Sequence, residues 1–180
     1  MVGLALLLPA SAMAGFVGSP LTIEWHFPAL GHIFASTTIV VGAGIEFPGQ
    51  ALGPAIDIGG DSIDFIDAAG DRFVERAFNG FVFSDSAGLL PPFRAVNIVE
   101  QVGYAGFAAT DIGVNGDQIR IDLGRAVSIR GPLNRLRLAV LFGVPAPGTL
   151  SLTALALFAL SWRRRQSQRC GRRPNITVSR

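Results

Sequence analysis

From Leu21 onward, apolar side chains recur at every second position rather than every third or fourth, the period of a strand with one buried face. In LTIEWHF, Leu21, Ile23, Trp25 and Phe27 fall on one face and Thr22, Glu24 and His26 on the other. TIVVGAGIEF predicts one strand over 38–47 that aligns Ile39, Val41, Ala43, Ile45 and Phe47, with Gly42-Ala43-Gly44 as a bulge or a close backbone approach. The same alternation places Ile56 with Ile58, Ile63 with Phe65, Phe81 with Phe83, Val96 with Ile98, Ile119 with Ile121 and Leu123, and Leu136 with Leu138, Val140 and Phe142. Between these runs stand turn signals: Gly59-Gly60, Ala69-Gly70-Asp71, Asn79-Gly80, Pro91-Pro92, Asn115-Gly116 and Gly131-Pro132. Short strands at this spacing predict an all-β domain, an antiparallel β-sandwich of jelly-roll-like character, over 15–143.

The two ends break the pattern. An apolar run from Val2 to Leu8 leads to Ala12-Met13-Ala14, and Ala12 and Ala14 form the small-x-small pattern of a signal peptide cut after residue 14. At the other end, Val144 to Trp162 carries no charge over 19 residues, and then Arg163, Arg164 and Arg165 arrive together. A run of that length predicts a single C-terminal hydrophobic helix spanning a membrane, with the arginines as a positive-inside stop and the domain outside the cytoplasm. The chain therefore divides into a signal (1–14), a β-domain (15–143), a membrane tail (144–166) and a basic cytoplasmic extension (167–180).

Charge supports this division and removes one class of function. The net charge of +2 and the pI near 9.5 conceal a segregation. All 13 carboxylates lie between Glu24 and Asp122, and the 15–143 stretch that contains them holds eight arginines, while the seven arginines after Trp162 have no acid near them. A β-domain at −5 lacks the basic face that nucleic acid demands, so no nucleic-acid partner is expected. The one cysteine, Cys170, lies in the extension, so the domain has no internal disulfide and relies on its core.

With these residues in view, the tail resembles the PEP-CTERM sorting signal of exported bacterial proteins. Val144, Pro145, Ala146 and Pro147 stand at its Val-Pro-Glu-Pro-like motif, with Ala146 in place of the glutamate; Leu152 to Leu160 match its short helix, and Arg163 to Arg165 its arginine cluster. The resemblance implies an exosortase-like processing enzyme as partner, transient retention in the inner membrane, and a final location in the cell envelope or outside the cell, with an association with exopolysaccharide or biofilm.

Candidate chemistry within the domain is sparse. DIGGDSIDFIDAAGD holds Asp57, Asp61, Asp64, Asp67 and Asp71, and clustered carboxylates suit Ca²⁺, but the spacing departs from a D-x-D-x-D-G loop. Asp57 and Asp64 fall on outward strand positions and Asp61 in a turn, so these three rank as weak metal candidates beside a plain solvated-face reading; Asp111, Asn115 and Asp117 stand likewise. His26 and His32 form no metal-ligand pair, His26 reading as a polar-face residue and His32 as a loop residue. No cofactor is expected. Trp25 is expected in the core, and Tyr104 is the remaining candidate for stacking on a sugar. The expected function is a non-catalytic exported envelope or matrix protein. The alternatives are a carbohydrate-binding module, a plainly anchored single-pass protein or, with less support, a hydrolase.

Overall fold

The computed structural model describes residues 15–49, 53–67, 73–128 and 134–143; the signal, the tail with its expected helix, the extension and Asp71 lie outside the described residues. The strands are β1 (Pro20–His26), β2 (Ile33–Val40), β3 (Ile45–Phe47), β4 (Ala55–Ile58), β5 (Ser62–Asp67), β6 (Gly80–Ser84), β7 (Phe93–Val102), β8 (Tyr104–Ala105), β9 (Ile112–Asn115), β10 (Gln118–Asp122), β11 (Val127–Ser128) and β12 (Asn134–Phe142). Helical structure among the described residues is one 3-10 turn, Ala109–Asp111, and no helix there is long and apolar enough to cross a membrane.

Two five-stranded sheets result, in the orders β2-β1-β6-β10-β9 and β3-β4-β5-β12-β7, with β11-β8 as a small extra pair, and every pairing is antiparallel. The cause is the period-two pattern, because successive side chains leave a strand on opposite faces. Leu21, Ile23 and Trp25 of β1, Ile119 and Ile121 of β10, and Leu136, Leu138 and Val140 of β12 are all buried, while the residues between them are half-exposed. The two apolar faces share one core. Phe65 of the second sheet packs on Phe81 and Phe83 of the first, with centroids 5.7 and 6.1 Å apart, and Phe47 meets Phe81 at 5.8 Å.

The ends of the domain meet at an aromatic cluster. Phe16 is fully buried, donates its N–H to the Gly60 carbonyl at 2.8 Å, and packs its ring against Phe142 at 5.1 Å and Phe93 at 5.8 Å. The Gly143 N–H, immediately after β12, is donated to the Pro92 carbonyl at 2.7 Å.

Three local expectations are corrected. The 38–47 run is two strands in different sheets, not one: β2 ends at Val40, and 41–44 carries the chain across to β3. Gly44, at φ +98°, makes a turn that a side chain would resist. Ile45 is consequently exposed instead of joining Ile39 on a buried face. Asn79-Gly80, which reads as a hairpin turn, instead opens the central strand β6. A Cβ on Gly80 would collide with the carbonyl oxygen of Ile121 on β10, so the glycine serves close approach of two backbones. Phe27 does not extend the inner row of β1, which ends at His26 ahead of a cis Phe27-Pro28 bond. By contrast, Gly59-Gly60 does turn β4 into β5, and β9 and β10 join as a hairpin through Gly116 and Asp117.

Candidate functional site

The β4–β5 hairpin brings two of the three aspartate candidates together. Asp57 and Asp64 are directly opposed across the pair, an arrangement that by itself repels. On the other side of β5, Asp64 opposes Arg137 of β12, and Arg137 opposes Glu100 of β7, so a row Asp57–Asp64–Arg137–Glu100 crosses the outer face of the second sheet. Arg137 donates from Nε to Asp64 Oδ1 at 2.8 Å and from Nη2 to Oδ2 at 3.0 Å, a bidentate fork, and Arg135 adds Nη2 to Oδ2 at 3.1 Å. The Arg137 guanidinium is held above its ordinary pKa by its hydrogen bond to Asp64 and by that carboxylate's charge, with Glu100 and Asp57 contributing further.

This geometry corrects the reading of Asp64 as a solvated outward residue. It points outward but is 3 % exposed, roofed by the two arginines. Both of its oxygens are taken by guanidinium donors, so a cation would have to displace two arginines before binding. Asp61 sits exposed in the hairpin turn. Among the described residues no three His, Cys, Asp or Glu side chains are placed to hold a metal ion together. Nor do the other acidic candidates converge. Asp111 lies at one end of β9, where its Oδ2 accepts the Ala108 N–H at 2.8 Å, and Asn115 and Asp117 lie at the other end, about 13 Å away along an extended strand. Arg135 and Arg137 were absent from the sequence candidates. Their alternation with Leu136 and Leu138 marks an outward face, but not the carboxylate opposite.

A cleft of about 450 Å³ opens on the first sheet, against β9 and β10, between the loops at 75–78 and 124–125 and the 3-10 turn that leads into β9. Arg76, Arg120 and Arg125 line it together with Glu75, Asp111 and Asp122, so its formal charge cancels. Its carboxylates are already engaged. Asp122 Oδ1 accepts the N–H groups of Asn79 and Gly124 at 3.1 and 2.9 Å, Asp111 accepts from Ala108, and Glu75 lies 3.6 Å from Arg125. Arg120 donates from Nη2 to Gln118 Oε1 at 3.0 Å. The lining offers hydrogen-bond donors and acceptors.

His26 is on the outer face, as its strand position predicts, yet it is 6 % exposed rather than solvated. The Phe78 ring stands edge-on to it at 6.1 Å, and its Nε2 lies 3.1 Å from Glu24 Oε2. Neither His26 nor Glu24 lines the cleft. His32 is an exposed loop residue. Trp25 is in the core, stacked on Phe81 at 5.6 Å, as expected; Tyr104, at 1 % exposure, is buried and corrected as a sugar-stacking candidate. Phe34 is the one Phe, Tyr or Trp side chain exposed among the described residues, so the sheets present no aromatic platform there. The sorting motif Val144, Pro145, Ala146 and Pro147, the stop Arg163, Arg164 and Arg165, and the cleavage residues Ala12 and Ala14 lie outside the described residues. No family model, no curated protein and no solved structure matches this chain.

Proposed function

We propose that the chain is an exported, non-catalytic envelope or matrix protein: a jelly-roll-like β-sandwich held at the inner membrane by the 144–166 tail and delivered by an exosortase-like enzyme. The observation that carries the reading is the meeting of the domain's two ends. Phe16 lies two residues beyond Ala14, Phe142 lies two residues before Val144, and their rings touch at 5.1 Å. Until the leader is cut, a domain tethered at both ends needs those ends at one place, because flanking segments this short reach only about 3.5 Å per residue; afterwards the tail alone holds it. The shared aromatic core supplies stability without a disulfide, as an exported domain with no cysteine requires.

Cys170, the only cysteine, provides the test. In spheroplasts of an expressing bacterium, a membrane-impermeant maleimide should label Cys170 only after permeabilisation, and mass spectrometry of the same material should find Gly15 at the mature N-terminus. Labelling in intact spheroplasts, or a retained Met1, would overturn the topology. In a host carrying the enzyme, Ala146→Glu should raise the yield of released domain, and a chain cleaved in neither form is an anchored single-pass protein instead.

A further inference from the structure

A sheet edge exposes unpaired N–H and C=O groups that will pair with any strand of suitable shape, and natural sheets blunt their edges with charge, proline, bulges, brevity or a cover. Three of the four edges of the two five-stranded sheets are blunted. β9 is four residues long and bridged to the other sheet, with the Phe93 N–H donated to the Gly116 carbonyl at 2.6 Å. β3 is three residues long and irregular in register, and it carries Glu46. β7 carries Arg94 and Glu100 and slips register twice against β12.

Among the described residues, the fourth edge, β2, is not protected in this way. Its eight residues, IFASTTIV, contain no charge and no proline, its single register irregularity lies at its start, and 35–40 pairs regularly with β1. Ile33, Phe34 and Val40 along it are 55, 61 and 67 % exposed. β-Branched residues dominate it, which raises its pairing propensity further.

We propose that β2 is a dimerisation edge, pairing antiparallel with β2 of a second copy about a two-fold axis at Thr37, so that the first sheets of the two copies become one continuous sheet. The absence of charge selects a second copy over a foreign strand. In antiparallel self-pairing any charge near the axis meets its own sign, whereas a foreign strand can be matched by opposite charge. Opposed residues share a face, so a register that keeps both inner faces on one side must set odd positions against odd and even against even. Centring on Thr37 satisfies this over 35–39, beyond the irregularity at Phe34. It sets Ser36 against Thr38 of the other copy, two hydroxyl residues that hydrogen-bond well in such pairs. The proposal does not rest on the export reading.

Its test is the oligomeric state of the full chain in detergent, by light scattering over a dilution series, with two double variants. Ser36→Lys with Thr38→Lys opposes like charges twice across the axis and should weaken the dimer about tenfold or more. Ser36→Lys with Thr38→Glu opposes unlike charges at the same positions and should restore it, with a restored affinity that falls in high salt. Thr37→Cys in a Cys170→Ser background should cross-link to itself with a short bismaleimide, whereas Thr110→Cys should not. A monomeric parent chain overturns the proposal. So does a dimer that is indifferent to both pairs, which would place the contact elsewhere, and if the Lys/Lys variant loses its circular dichroism, a failure of Thr37→Cys to cross-link overturns it.

Discussion

Replacing Asp64 by Asn separates the two accounts of the acidic stretch. The substitution keeps the shape of the side chain and removes the charge that Arg135 and Arg137 share. Three charge-assisted hydrogen bonds of 2.8 to 3.1 Å converge on a carboxylate that is 5 % exposed, and each such bond is worth about 1.5–3 kcal/mol when its partner is left without a substitute. The arginine side chains are 35 and 39 % exposed and regain part of their hydration, and the repulsion between Asp57 and Asp64 is relieved. The net loss should be about 2–3 kcal/mol, below the 3–5 kcal/mol of a fully buried pair. For a domain of this size that lowers Tm by roughly 7–11 °C. The assay is a thermal melt of the parent and Asp64→Asn with and without EDTA. If the row is an ion-pair ladder, the variant melts early and EDTA changes neither curve. A parent that loses as many degrees to EDTA as to the substitution would refute the reasoning in favour of a cation site, and an unchanged Tm in Asp64→Asn would refute the energetic argument itself.

Two further substitutions probe the frame. Gly80→Ala should abolish cooperative folding, since a methyl group there meets the Ile121 backbone between central strands, and a β-rich, cooperatively melting variant in circular dichroism would contradict the close approach. Phe16→Ala should cost about 3–5 kcal/mol by removing the ring that joins the two ends of the domain, read as a shift in the urea midpoint at constant m; a loss under 1 kcal/mol would mean that the ends are not held there.

Much of the architecture could be read from period alone. Alternation is a local property: where one face is buried, as in β1, β10 and β12, the sequence must write apolar residues at every second position, so the strands and the residues facing inward were legible before any tertiary information. What the sequence by itself left undetermined depends on which strand lies beside which. The 38–47 run looked continuous because both β2 and β3 alternate, and the change of sheet between them is visible only once each strand has a neighbour. Asn79-Gly80 carries the same letters as a hairpin turn, and only the Ile121 backbone beside it makes the glycine a contact residue. Asp64 looked solvated because its partners, Arg135 and Arg137, lie more than seventy residues away along the chain and reach it through β5–β12 pairing. Periodicity determines which way a side chain points; what covers it there is determined by strand order and register, which only the assembled sheets supply.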